Sequence, residues 1–227
     1  MPAYEIVRDP TALQNDDDLT HIGGLPNLPG DLPLPICTLC GTNMTFFFQV
    51  RFPNGHAWAG RVMAVFACTT CSDLDHGTPP MAADLEHLPD GFLDDYEKNF
   101  KILAFDMAAT ERRTEYTPVL RFERLSLQPL KSASARVTKV GGLPNWRISN
   151  DFPKSYMGSE FAFLMQIWSG LDFEFEKLEA APPQAQYPWA GDPYRLDGRY
   201  SLFSGLPLYF FGTVNLESPR VYVLNQK

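Results

Sequence analysis

The chain has 227 residues, 44% of them apolar and 13% aromatic, which excludes a disordered polymer and allows a sizeable core. Its net charge of −8 is uneven: residues 1–128 carry 18 acids against 9 Lys or Arg, and residues 129–227 carry 9 against 10. An acidic chain lacks the basic footprint that phosphate backbones require, so nucleic acid is not an expected partner; the charge permits a basic protein partner, although solubility alone is the reading it favours.

In chain order, "MPAYEIVRDP" (1–10) has no basic region followed by an apolar core, so no leader is expected and the cytosol is the expected compartment. Asp16, Asp17 and Asp18 read as an exposed turn. "HIGGLPN" (21–27) reads as a short strand running into a bend: the Gly-Gly pair permits positive φ, and the residue before proline avoids helix. "TFFFQV" (45–50) and "RVMAVFAC" (61–68) have strand length and are almost continuously apolar, the mark of strands buried on both faces. Phe92, Leu93, Tyr96, Phe100 and Leu103 recur at helical spacing, which makes this the best helix candidate, although its tail "KILAF" fits a strand equally well. "VLRFERLSLQPL" (119–130) alternates imperfectly and reads as a strand. In the second half, "KVGGLPN" (139–145) repeats the first bend and "FAFLMQI" (161–167) is another buried strand. The proline-rich run 179–194 reads as a loop, and "LPLYFFGTV" with "RVYVLNQ" as a final antiparallel pair. No apolar run approaches the roughly 20 residues a membrane helix needs.

The repetition has an order. The two Gly-Gly phrases are offset by 118 residues, and the glutamines Gln49 and Gln166 that follow them by 117. Two matching blocks at nearly one offset predict an internal duplication: a first module over 1–128 and a second over 129–227. The fold class expected is β-rich α+β, built from two antiparallel-sheet modules. A buried glutamine needs amide partners, and a structural hydrogen bond to the neighbouring loop is the reading favoured for both.

All four cysteines fall in two C-x-x-C pairs, Cys37 with Cys40 and Cys68 with Cys71. A cytosolic chain rarely keeps disulfides, so paired C-x-x-C units point to a metal. The 27-residue gap is long for such a site, but two antiparallel strands joined by the "RFPNGHAWAG" turn would return Cys68 to Cys40, as in a zinc ribbon. Four thiolates around zinc leave no position for water and imply a structural role. Because the second half has no cysteine, the expectation is that only the first module depends on the metal.

These blocks resemble known families. The Gly-Gly-x-Pro and hydrophobic-Gln blocks, with the ending "LFSGLPLYFFGTVNLESPRVYVLNQ", resemble the bacterial YwqG-like family; the cysteines with "MTFFFQV" and "RVMAVFACTTC" are similar to the programmed-cell-death-2-like proteins. The first resemblance implies a duplicated β-rich fold without established enzymatic activity. The second implies chaperoning of a newly made, basic ribosomal protein, although the second cysteine cluster is missing here.

No catalytic set stands out. Asp73, Asp75 and His76 form the one acidic histidine cluster and are the centre of the alternative reading, an uncharacterised metal-dependent hydrolase. The leading expectation is a non-enzymatic, zinc-stabilised protein-binding module, chaperone-like or toxin-neutralising. Its metal ligands are Cys37, Cys40, Cys68 and Cys71; its candidate contact residues are Trp58, His56 and Trp189, aromatic groups on loops, with core packing the competing and at least equal reading for each tryptophan.

Overall fold

A computed structural model describes residues 2–71, 85–131, 136–168, 175–186, 192, 194–195, 197–203 and 207–226. In chain order the strands of the first half are β1 (Ala3–Asp9), β2 (His21–Ile22), β3 (Asn27–Pro29), β4 (Thr45–Arg51), β5 (Arg61–Ala67), β6 (His87–Leu88), β7 (Phe100–Asp106) and β8 (Thr110–Arg112). A five-residue helix, α1 (Phe92–Tyr96), precedes β7, and a 3-10 turn (Met107–Ala109) follows it. Next come β9 (Glu123–Pro129), β10 (Lys139–Gly141), β11 (Ser155–Tyr156), β12 (Ser159–Ile167), β13 (Phe175–Glu176), β14 (Gln184–Ala185), β15 (Tyr194–Arg195), β16 (Arg199–Tyr200), β17 (Leu208–Thr213) and β18 (Val221–Asn225). The fold is β-rich, as its alternation and turn chemistry predict.

Ten strands form one continuous path, β18-β17-β12-β10-β1-β9-β2-β4-β5-β7, with the short β11 and β6 attached at its side. The central pair is β1 and β9, antiparallel from Tyr4 opposite Pro129 to Asp9 opposite Arg124. The 118-residue offset of the two Gly-Gly phrases makes β9 the counterpart of β1, and with the halves divided ahead of β9 on that basis each strand continues into the other half of the chain. β1 pairs with β10, Glu5 opposite Lys139, and β9 pairs with β2, Arg124 opposite His21. The first strand of each half thus lies against the second strand of the other. The expected boundary after residue 128 falls within β9, which joins both halves in one sheet.

The two halves make matching contacts. His21 lies opposite Gln49, and Lys139 opposite Gln166. Gly24 N donates to Leu120 O, and Gly142 N to Pro2 O, again 118 residues apart. The register shifts between Phe46 and Phe48 in β4 and between Phe163 and Met165 in β12. Gln49 Oε1 accepts from Asn27 N at 2.9 Å, and Gln166 Oε1 from Asn145 N at 2.8 Å. These are the amide-to-loop bonds expected of two buried glutamines.

Alternation explains the continuous apolar runs. Along β5, Met63, Val65 and Ala67 enter the main core, while Val62, Ala64 and Phe66 enter a smaller core with Leu28, Met44, Phe46, Phe105 and Tyr116. The main core contains residues from both halves: Phe48 meets Phe210 at 6.0 Å, and Phe47 meets Phe175 at 4.8 Å. The helix that leads into β7, one end of the strand path, meets β18, the other end. Tyr96 in α1 packs against Tyr222 in β18, and its hydroxyl donates to Val223 O.

The helix predicted from Phe92 onward stops at Tyr96. Phe100 and Leu103 instead belong to β7, which makes a seven-residue ladder with β5. Glu97 ends the helix, and its Oε1 accepts from Ile102 N, so the side chain turns the chain into the strand. The proline-rich run read as loop contributes one two-residue ladder, β14 with β15.

Candidate metal centre

The β4–β5 hairpin places Thr45 opposite Ala67, so the segments that precede β4 and follow β5 leave the sheet side by side. The first C-x-x-C turn is closed by Cys37 N donating to Thr42 O and Gly41 N donating to Cys37 O, both at 2.8 Å. Gly41 sits at φ 73°, a conformation that suits glycine. The loop 98–99 ties the two turns together. Lys98 O accepts from Thr38 N at 2.9 Å, and Asn99 O accepts from Cys68 N at 2.7 Å.

This brings all four sulfurs within 4.8 Å of one another. Cys37 Sγ is 3.8 Å from Cys71 Sγ, Cys40 Sγ is 3.6 Å from Cys68 Sγ, and Cys68 Sγ is 3.3 Å from Cys71 Sγ. A tetrahedron with metal–sulfur bonds of about 2.3 Å has edges of about 3.8 Å, so the set fits a single ion. The separations far exceed the roughly 2.05 Å of a disulfide bond, and all four cysteines are free. Four cysteines placed in this way can hold a metal ion.

The sulfurs differ in their tendency to ionise. Burial pushes the Cys37 thiol up to about 11. Cys71 is also raised, first by burial and then by the sulfurs of Cys68 and Cys37. At Cys40 burial acts in the same direction, but the hydroxyls of Thr42, at 3.0 Å, and Thr70, at 3.5 Å, outweigh it and bring the thiol down to about 6. Four thiolates this close would form only with a cation to share their charge. Thr70 Oγ1 also lies 3.2 Å from Cys68 Sγ and 2.8 Å from Thr42 Oγ1, so two threonines brace the exposed side of the cluster. The second half reaches the centre as well, because Ala185 N donates to Thr69 O at 2.9 Å.

Trp58 and His56, expected as exposed contact residues, are buried. The Trp58 indole lies against Gly212, and its Nε1 donates to Thr213 O of β17 at 2.9 Å. His56 stacks on Phe52 and accepts from Trp58 N through Nδ1. Their polar, glycine-rich turn is thus a plug between the halves. Trp189, Asp73, Asp75 and His76 lie outside the described residues.

A second polar cluster escaped the sequence reading. His21, Asn27 and Gln49 are fully buried under the first Gly-Gly bend, with Arg112 opposite Asn27 in the β3–β8 ladder. The available signal was the exchange of His21 for Lys139 between two otherwise similar phrases. No helix among the described residues is long and apolar enough to cross a membrane. Neither the models of known protein families nor the curated proteins match this chain.

Proposed function

We propose that the chain is a non-enzymatic, zinc-stabilised protein-binding module. The observation that carries the reading is the convergence of Cys37, Cys40, Cys68 and Cys71 from two tight turns within 4.8 Å. Zinc is the ion assigned to the site, because four thiolates at tetrahedral separations suit it best among common divalent ions in a reducing cytosol. The bound ion would join the two turns and fix loop 98–99. Closed coordination gives it no vacant position for a substrate, so its role is structural.

The partner proposed is a basic protein, held by the acidic first half in a chaperone-like or toxin-neutralising role. Duplication of an ancestral half, as in the YwqG-like family the sequence resembles, is supported by the paired bonds at residues 24 and 142 and by the two matching register shifts.

Elemental mass spectrometry on protein purified without added metal, with a thiol count alongside, tests the centre. One zinc per chain and no reactive thiols before denaturation are expected; four reactive thiols without metal would remove it. For the partner, a pull-down from a cell extract should retain a basic protein that elutes as salt is raised. A hydrolytic turnover lost in His76→Ala, with the fold intact, would replace this reading with the enzymatic one.

A further inference from the structure

Beneath the first Gly-Gly bend, several buried polar atoms lack a partner. His21 Nε2, Asn27 Oδ1, Gln49 Nε2 and Arg112 Nε make no hydrogen bond among the described residues. They belong to neighbouring groups. His21 and Gln49 are register partners across β2 and β4, so their side chains share one face. Asn27 N donates to Gln49 Oε1, which fixes that amide with its NH₂ free. Arg112 lies opposite Asn27, and both side chains converge on Asp16: Asn27 Nδ2 donates to Asp16 O, and Arg112 Nη2 reaches Asp16 Oδ1 at 2.9 Å.

The chemistry of the four atoms is complementary. His21 Nδ1 lies 2.9 Å from Gly23 O, which can only accept, so Nδ1 carries the proton. Burial holds the ring neutral, its pKa lowered to about 4, and Nε2 is therefore an acceptor. Asn27 Oδ1 is a second acceptor, because Nδ2 is already given to backbone carbonyls. Gln49 Nε2 and Arg112 Nε are donors. Leaving such groups unpaired costs about 1–3 kcal/mol each.

The second half meets the same demand within the protein. Lys139 replaces His21, and its Nζ donates to Asn145 Oδ1 at 2.6 Å. Gln166 Nε2 donates to Val137 O at 2.9 Å and lies 3.3 Å from Asn145 Oδ1. A histidine side chain is shorter than a lysine by about 2 Å and does not extend as far toward the asparagine.

We infer that the first half binds one buried water molecule between His21, Asn27, Gln49 and Arg112, in the place that the Lys139 ammonium takes in the second half. A water donates two hydrogen bonds and accepts two, which matches two acceptors and two donors. An ammonium ion or a metal cation would face the Gln49 and Arg112 N–H groups and is disfavoured.

A crystal structure of the full chain that resolves ordered water tests the site directly. The expected result is one water oxygen within about 3.2 Å of His21 Nε2 and of at least two of the other three atoms. Side chains that bond to one another, or a site without density, would overturn the inference. ¹⁵N chemical shifts of the His21 ring should show the Nδ1–H tautomer; an Nε2–H tautomer would contradict it. In His21→Lys the ammonium should displace the water and, because it faces the Gln49 and Arg112 N–H groups, lower the urea midpoint. Retention of the water beside the lysine would count against the equivalence of the two positions, and the wild-type structure decides the site itself if this variant does not fold.

Discussion

His21 and His56 sit in the core with their pKa lowered to about 4, in both cases first of all by burial. An unfolded histidine titrates near 6.5, so the folded state disfavours the proton. The stability this contributes is complete above about pH 6.5 and is lost as pH falls toward 4, amounting to about 3 kcal/mol for His21 alone. The urea midpoint should therefore drop between pH 7.5 and pH 5, while both rings keep neutral NMR signatures in the folded protein. The cysteine centre would lose its ion in the same range, so released metal must be followed in parallel. A midpoint that stays level with the ion still bound would refute the assignment. Single residues also show where the sequence is legible. Gln49 and Gln166 announce themselves as buried amides because each lies within an apolar strand, and each bonds to the loop as expected. Trp58 leaves two readings open, contact surface or core, and the structure gives the second: the partner that buries it, Thr213, is 155 residues away.

Among the elements, the Gly-Gly bends impose the tightest demand. Gly23 has φ 55°, and a Cβ there would lie 2.3 Å from Arg121 O; Gly141 has φ 73°, and a Cβ would lie 2.5 Å from Pro2 O. In both cases the obstacle is backbone, part of the chain that leads into the strand exchanged from the other half. Gly23→Ala and Gly141→Ala combine strain at positive φ with a clash that no side-chain rotation relieves, so each should destabilise by about 2–4 kcal/mol. Chemical denaturation of each variant measures this, and a loss below about 0.5 kcal/mol would show that the bends are not fixed by the exchanged strands. This level was the most legible. β4, β5, β12, β17 and β18 follow from apolar runs of strand length, β9 from a broken alternation, and the cysteine turns from their spacing. What the sequence did not disclose was non-local. β1 carries no strong alternation and becomes a strand because β9 and β10 flank it. The pattern from Phe92 to Leu103 fits a helix locally, but beyond Tyr96 the ladder with β5 prevails.

At the scale of the whole molecule, the exchange of first strands decides how a metal bound at the cysteines would act. The absence of cysteine beyond residue 71 suggests a metal-dependent first half beside an independent second half. The sheet opposes that separation. Residues 3–9 complete the second half through β10, and residues 123–129 complete the first through β2, so neither half keeps its sheet when the other unfolds. Trp58 and Arg61 add further ties, donating to Thr213 O and Leu216 O of the second half. Stability that a bound ion gives to the native state alone is then shared by the whole sheet; an ion present at about 1,000 times its dissociation constant contributes about 4 kcal/mol. Removing it with a chelator, or replacing Cys71 with serine, should lower one thermal transition for the entire chain. Tryptophan fluorescence, which samples Trp58 in the first half and Trp146, Trp168 and Trp189 in the second, should move together with far-ultraviolet circular dichroism. Two separate transitions, with only the lower one sensitive to the chelator, would show that the halves are energetically independent and that the exchanged strands bind them too weakly to transmit the loss.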